Sequence, residues 1–387
     1  MKMRKLALYA LLVSWAFVQF GCGKDDSPSN PDDGPTETFY NITQATINTD
    51  GFTAPGELSF WYSIDNGESY TIEKPEDLSK GDELWVKINN GEVDIYEEDF
   101  YFDWSGSSLV PADTESDLAK FVVKETDITL EATVTDKIEL LVSNRNTGQF
   151  YVLDLSDGGL TPAFNITLNG NNVTDIRGMV YNYNNHKIYA SLTEESVPSG
   201  GLLQVEPNVL TTQVINGNEN NSWKGISDLV VTNDNTILAT IGFGGGQNPA
   251  LIEFEIDGSM SEPKLFSGDN IPCCGLGLSK GTNDEEYLIG DGFSAMVHKS
   301  NDSGEISETI ELELVGFAED ADPANFFIKN LVQTSDSYYA LCLEKIDNET
   351  QYTHIVKVDL ENAQLVYLSG AFSTQYNALV QIPAYAF

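Results

Sequence analysis

A repeated pattern of short strands constrains the fold of this chain more than any other feature. From residue 137 onward, a small or polar residue precedes an apolar strand, a polar turn and a second strand, with a period of roughly 50 residues. The segments that align are IRGMVYNYNNHKIYASL, ISDLVVTNDNTILATIG, CCGLGLSKGTNDEEYLIG and IKNLVQTSDSYYALCLE. The equivalent positions are Gly178, Asp228, Gly275, Asn330 and, in a shorter last copy, Asn377. Such a repeat indicates that one structural unit recurs along the chain and that its copies pack against one another.

The last copy, YNALVQIP, ends where its second strand should follow, and the missing strands occur at the front in KIELLVSN, GQFYVLDL and AFNITLN. Four strands per repeat, with the chain end completing the first unit, predict a five-bladed β-propeller over residues 137–387, closed by the C-terminal strand. The pattern resembles the broad class of quinoprotein-like and NHL-like propellers. The resemblance is architectural and implies no particular reaction.

Residues 39–136 contain about seven short apolar runs separated by turn residues, among them GELSFWYSI and DELWVKIN. This pattern predicts an immunoglobulin-like β-sandwich, although the Cys-Trp-Cys signature is absent. The whole chain is therefore expected to be all-β. Trp61, Trp85 and Trp104 fit either the sandwich core or a platform for sugar rings.

The N-terminus has the pattern of an export signal. Lys2, Arg4 and Lys5 precede an apolar run over residues 6–20, which fits a signal peptide over residues 1–21. Gly21 and Cys22 then fit a lipobox, and CGKDDS resembles the acidic export signal of surface lipoproteins of Bacteroidota. The resemblance implies a lipid on Cys22, an outer-membrane anchor and exposure on the cell surface. The alternative is an ordinary signal peptide with an incidental Cys22. Residues 22–38 are expected to be a flexible tether.

The formal net charge is −40. This excess of acid argues against nucleic acid as a partner and against charge-driven binding to anionic lipid. It fits a soluble extracellular surface. Calcium binding is possible, although the sequence contains no D-x-D-x-D-G loop.

The propeller geometry predicts which loops surround the ligand face. Only two arginines follow the signal segment, Arg145 and Arg177, and both fall on this face in neighbouring blades. Because an arginine grips carboxylate, phosphate or sulfate through two hydrogen bonds, we expect an anionic ligand such as a uronate or a sulfated sugar. The predicted ligand-binding residues are Arg145, Arg177, Trp223, Lys224, Lys329 and Tyr376. The alternative is that each arginine pairs with an acid, such as Asp175 or Asp228, and joins blades.

Cysteine usage excludes a disulfide-rich scaffold. Cys342 lies in an apolar run and is expected to be buried. Cys273 and Cys274 are adjacent, and in an oxidising compartment they could form a vicinal disulfide at the ligand face. The alternative is two thiols.

No catalytic residue can be assigned from the sequence. The three histidines, His186, His298 and His354, fall in different repeats. Five-bladed furanosidases carry acids at the start of several inner strands, whereas here only Asp228 is acidic. Gluconolactonase-type propellers bind one divalent ion in the channel, and Asp228, Asn330 and Asn377 could imitate that site.

The sequence thus favours a non-catalytic surface lipoprotein that captures a glycan or another anionic ligand. The alternatives are adhesion to a protein partner and a carboxylate- or metal-dependent hydrolase or lactonase.

Overall fold

A computed structural model describes residues 38–49, 56–89, 99–111, 113–192, 201–207, 209–217, 223–243, 249–273, 277–283, 285–334, 337–347, 351–372 and 376–386, with main chain only at 223, 224, 243 and 371. Over these ranges the regular structure is β-strand apart from two 3₁₀ turns, Pro323–Asn325 and Ala384–Ala386, so the predicted all-β class is confirmed. Among the described residues, no helix has the length and apolarity needed to cross a membrane. The predicted signal peptide and Cys22 lie outside the described residues.

Eight strands lie in the described part of the first unit. They are β1 (Phe39–Tyr40), β2 (Ile42–Thr49), β3 (Ser59–Ser63), β4 (Leu78–Ser79), β5 (Glu83–Asn89), β6 (Phe100–Asp103), β7 (Leu118–Val122) and β8 (Ile128–Asp136). One sheet has the order β2-β8-β6, a second has the order β3-β5-β7, and β1 pairs with β4. Along β8 every second residue is buried, because alternate side chains of a strand point to one face. Trp104 is fully buried in the common core, which favours the core interpretation for this tryptophan.

The second unit contains the remaining strands. They are β9 (Ile138–Asn144), β10 (Gln149–Leu153), β11 (Leu160–Asn165), β12 (Thr167–Leu168), β13 (Asn171–Asn172), β14 (Met179–Asn182), β15 (Lys187–Ser191), β16 (Leu202–Glu206), β17 (Thr211–Asn216), β18 (Trp223–Val231), β19 (Ile237–Phe243), β20 (Ala250–Phe254), β21 (Lys264–Leu265), β22 (Leu278–Lys280), β23 (Tyr287–Gly290), β24 (Met296–Ser300), β25 (Ile306–Glu311), β26 (Glu313–Val315), β27 (Phe326–Gln333), β28 (Tyr338–Lys345), β29 (Gln351–Asp359), β30 (Gln364–Phe372) and β31 (Tyr376–Pro383).

These strands form sheets that follow one another along the chain. Their orders are β31-β9-β10-β11, β14-β15-β16-β17-β12-β13, β18-β19-β20-β21, β22-β23-β24-β25 and β27-β28-β29-β30-β26. The pairing of β31 with β9 is the terminal exchange that the sequence predicts. The first strand of each sheet contacts that of the next in a cycle, β31 to β14, β18, β22, β27 and back to β31. The sheets are therefore arranged as in a β-propeller; we call their first strands the inner strands and the space between them the channel.

Apolar side chains fill the spaces between neighbouring sheets. Tyr189 and Leu202 of the second sheet, for example, pack against Ile226, Ile237 and Ile252 of the third. The β-branched and aromatic residues of the repeats are thus buried between neighbouring sheets. The unit has an apolar core between each pair of sheets in place of one central core.

The two units meet at an aromatic junction. The ring of Tyr385 stacks on Phe100 of β6 at 5.1 Å and meets Tyr181 of β14 edge to face at 6.1 Å. The Tyr183 hydroxyl donates a hydrogen bond to the Asp136 carboxylate over 3.0 Å. The first unit therefore contacts the second around the far ends of β14 and β31, away from the start of the inner strands.

Candidate functional site

Asp175 organises the start of the inner strands. It is only 3% exposed and has a left-handed main-chain conformation with φ of 56°. Its N–H donates to the main-chain oxygen of Arg145 over 2.9 Å. The loop before β14 is thereby fixed against the loop after β9, and the Asp175 carboxylate is held between two sheets.

Both predicted arginines contact this carboxylate. The Arg145 Nε lies 3.1 Å from Asp175 Oδ1, and the Arg177 Nη2 lies 3.4 Å from Oδ2. The arginines therefore pair with an acid, as the alternative prediction has it, but both of them pair with the same acid, Asp175. The arginine side chains remain about one-third exposed, with values of 32% and 41%. The pairs thus orient the two guanidinium groups without burying them.

Asn377 extends the network across the channel. Its amide N–H donates to Asp175 Oδ1, and its amide oxygen accepts a hydrogen bond from Lys329 Nζ over 2.9 Å. Burial, followed by the nearby charges of Arg177 and Arg145, lowers the pKa of Lys329 to about 8. Lys329 thus adds a third basic side chain to the network around the Asp175 carboxylate.

These residues surround a cavity of about 210 Å³, which we call the mouth cavity. It is lined by Arg145, Arg177, Ser227, Lys329, Leu343, Gln351 and Asn377. Six of these side chains carry hydrogen-bonding groups, and Leu343 is the apolar one. The cavity is smaller than the 300–1,000 Å³ typical of sites for drug-sized ligands, so it suits a small group.

Asp228 closes the channel below the mouth cavity. It is 2% exposed, and its Oδ2 accepts hydrogen bonds from the N–H groups of Leu278, at 2.9 Å, and Leu331, at 3.3 Å. Its Oδ1 accepts from the N–H of Leu229. Burial raises the pKa of this carboxyl well above its usual value, and these N–H groups only partly offset the effect. Asp228 thus joins three inner strands at their narrowest point.

Glycine allows this close approach. A Cβ at Gly178 would lie 2.6 Å from the Cα of Asp228, and one at Gly277 would lie 2.9 Å from the main-chain carbon of Asn330. Gly178 and Gly277 also accept equivalent main-chain hydrogen bonds, from Ser191 and Gly290. The structural equivalent of Gly178 is therefore Gly277, two positions after the Gly275 of the sequence alignment, which lies outside the described residues.

A second cavity, of about 220 Å³, lies further along the same strands. Residues 228–231 of β18 line it together with Val180, Val332 and Gln381, whereas Ser227 lines the mouth cavity. Asp228 therefore separates two compartments of the channel.

The three residues predicted to hold a metal form hydrogen bonds with different partners. The Asp228 oxygens accept from main-chain N–H groups, and the Asn377 amide oxygen accepts from Lys329. Asn330 donates to the main-chain oxygen of Arg177, and its own amide oxygen has no hydrogen-bond partner among the described groups. In the described part of the chain, no three His, Cys, Asp or Glu side chains are grouped as a metal site. Metal binding by Asp228, Asn330 and Asn377 stays a prediction.

Several other predicted site residues lie away from the mouth cavity or outside the described part. Tyr376 is buried against Tyr151 and Phe372, so its ring packs in the core. The side chains of Trp223 and Lys224 are outside the description, as is Cys274, so the vicinal disulfide with Cys273 stays a prediction. Cys342 is buried as predicted, and burial raises the pKa of its thiol.

Two histidines form separate buried pairs with acids. His298 Nε2 lies 3.3 Å from Asp291 Oδ2, and His354 Nε2 lies 2.8 Å from Glu344 Oε2. Burial acts to raise the pKa of Asp291, but hydrogen bonds from His298 and from the N–H groups of Phe293 and Cys273 hold it below the usual range. The pairs lie in different sheets, as the repeat predicts.

Comparison with known proteins identifies no family for the chain. No family model matches the chain, and no curated protein matches it. Among solved structures, a chain of the nidogen/laminin complex is similar over 63% of this chain and 98% of its own, with 11% identity and a TM-score of 0.39. The periplasmic gluconolactonase PpgL of Pseudomonas aeruginosa is similar over 81% of this chain and 83% of its own, with 11% identity and a TM-score of 0.35. A putative 6-phosphogluconolactonase of Bacteroides uniformis is similar over 60% of this chain and 82% of its own, with 10% identity and a TM-score of 0.33.

Proposed function

We propose that the protein captures a small anionic ligand, or the anionic end of a glycan, in the mouth cavity. The observation that carries this proposal is the convergence of Arg145, Arg177 and Lys329 on one cavity in a chain whose formal net charge is −40. Local positive charge in a concave site attracts and concentrates anions. A uronate or a sulfated sugar fits the chemistry of this lining.

The formal charges at the site support binding of an anion. Three cationic side chains and the one carboxylate of Asp175 leave a charge of +2. Two guanidinium groups held by one acid keep their remaining N–H donors directed by the protein rather than by solvent, and a pre-oriented donor loses less entropy on binding. We infer that Asp175 orients the binding groups and that the arginines contact the ligand.

The rest of the molecule fits a recognition head on a spacer. We propose that the five stacked sheets are the blades of a closed five-bladed propeller and that residues 39–136 form an immunoglobulin-like spacer. A lipid on Cys22 and the tether over residues 22–38 would hold both units outside the outer membrane. Recognition would then occur at the cell surface.

The test is a glycan array probed with the purified protein in low and high salt, with and without calcium, followed by titration calorimetry. Binding to uronate- or sulfate-bearing glycans that weakens with salt is the expected result. Arg145→Ala and Arg177→Ala should each weaken binding about tenfold or more, because a charge-assisted hydrogen bond contributes about 1.5–3 kcal/mol. Lys299→Ala is the matched control, since Lys299 pairs with Glu308 on the outer strands of another sheet.

Unchanged binding in both arginine variants would contradict the proposal. Binding only to large protein partners would favour an adhesin, and turnover of a lactone or glycoside that is lost on chelation would favour a metal-dependent hydrolase.

A further inference from the structure

We infer that the mouth cavity prefers a phosphate monoester, a group with two negative charges, over a singly charged carboxylate or sulfate ester. The inference rests on the proposed function, because it concerns the charge of the ligand in that same site. It goes beyond that function by naming the ionic class that the cavity selects.

The first argument is charge balance. Asp175 contacts both arginines, and Asn377 links Asp175 to Lys329, so one carboxylate lies among three cations and two positive charges remain. A monoanion would leave one of them uncompensated when the ligand displaces water from the cavity. Partly buried charge without a partner is unfavourable, so a dianion completes the balance.

The second argument is the direction of the donors. Arg145 follows β9, Arg177 precedes β14 and Lys329 lies on β27, so the cations approach the cavity from three different sheets. Ser227, on β18, adds a hydroxyl from a fourth. A carboxylate presents two oxygens in one plane, which suits a single guanidinium fork. A phosphate monoester presents three terminal oxygens that diverge, and it can accept from several sheets at once.

The third argument is the chemistry of the wall. Among the described residues that line the cavity, none contributes a carboxylate, and Asp175 lies behind the arginines. The lining thus combines three basic side chains with neutral polar groups and contains no anionic acceptor among the described residues. This arrangement favours oxyanions over neutral sugars, which need acceptors for their hydroxyl protons.

The experiment compares two ligands that differ mainly in charge. Glucose 6-phosphate and glucose 6-sulfate are titrated into the purified protein by calorimetry at pH 5, 7 and 9, with glucuronate and inorganic phosphate alongside. At pH 7 we expect the phosphate ester to bind at least about tenfold more tightly than the sulfate ester, the effect of one added charge-assisted hydrogen bond. At pH 5 the difference should shrink, because the second ionisation of the phosphate has a pKa near 6.

A variant of Lys329 tests the charge argument. The Lys329 ammonium lines the cavity with Arg145 and Arg177, and it donates to the Asn377 amide oxygen over 2.9 Å. Lys329→Met should remove most of the preference for the phosphate ester, whereas Lys299→Met, on β24, should keep it. If Lys329→Met does not fold, the pH profile of the unmodified protein decides the question.

The outcomes separate the two proposals. If glucuronate or glucose 6-sulfate binds as tightly as glucose 6-phosphate at pH 7, the preference for a dianion is wrong and the anion-binding function stands. If none of these anions binds, both proposals fail. If inorganic phosphate binds as tightly as glucose 6-phosphate, the dianion inference is supported and the cavity recognises the phosphate alone. Tighter binding of the ester supports it too and shows that the sugar contributes.

Discussion

Two carboxylates are buried in the central channel, and they are held in opposite ways. Asp175 contacts two arginines and an asparagine, whereas Asp228, one layer below, accepts hydrogen bonds from the N–H groups of three inner strands. Partly exposed cations at the first acid leave room for a ligand, and fixed main-chain dipoles at the second join strands. The comparison shows that burial of an acid does not by itself mark a binding site; the kind of partner decides its role.

The largest effect is expected from Asp228→Ala. The change leaves the N–H groups of Leu229, Leu278 and Leu331 without their acceptor in the interior of the channel. Each unsatisfied buried donor costs about 1–3 kcal/mol, so we expect the free energy of unfolding to fall by about 3–5 kcal/mol. Urea denaturation followed by circular dichroism measures it. A loss below about 1 kcal/mol would show that Asp228 does not join the strands.

Gly178→Ala tests the close packing around Asp228 from the segment that precedes the neighbouring strand β14. The added methyl would lie 2.6 Å from the Cα of Asp228, a main-chain atom that cannot move alone. We expect a loss of about 1–3 kcal/mol of unfolding free energy, the usual cost of overpacking. Gly242→Ala on β19 is the matched control, because a methyl there meets no atom within 4 Å. Equal stabilities of the two variants would contradict the close packing.

Asp175→Asn should affect ligand binding more than folding. The amide keeps the shape and can still interact with Asn377, but it no longer balances Arg145 and Arg177. Because the two guanidinium groups are partly exposed, we expect a stability loss of about 1 kcal/mol or less. Ligand affinity should fall about tenfold, because the two arginines lose the contact that orients them. Calorimetry and a thermal melt on the same sample separate the two effects.

The stability that Asp228 contributes should also depend on pH. Its pKa in the folded state is raised above the unfolded value, so its contribution is fully present below the unfolded pKa of 3.8 and is lost as pH rises through the folded pKa. Asp228→Asn removes this titration. The stability advantage of the unmodified protein over Asp228→Asn should therefore fall by about 1.4 kcal/mol per pH unit within that window. Parallel curves for the two proteins from pH 4 to 8 would contradict the raised pKa.

The fold was largely predictable because strand patterns are local and the repeat is regular. The pairing of β31 with β9 follows from the incomplete last copy. In the site, Arg145, Arg177 and Lys329 could be found because basic residues are rare and the repeat places them on one face.

Other features depend on side-chain packing that a repeat does not encode. Tyr376 was expected at the ligand face, but its ring packs against Tyr151 and Phe372. The sequence alignment makes Gly275 the equivalent of Gly178, whereas the main-chain hydrogen bonds show that the equivalent is Gly277. The two differ because the loop before β22 does not have the same length as the loop before β14. The contacts of Asn377 with Asp175 and Lys329 could not be predicted either, because they form only when distant parts of the chain meet.

The position of Asn377 on the last strand has a kinetic consequence. Asn377 and Asp175 are 202 positions apart, and Ala378 bonds to Ser143 across 235 positions. Contacts between such distant residues form late in folding, since the intervening chain must first be ordered. During synthesis the cavity stays incomplete until the final strand is delivered, so capacity to bind would appear abruptly, as the last event of maturation. A bound ligand would in turn slow the release of that strand and lengthen the lifetime of the native state.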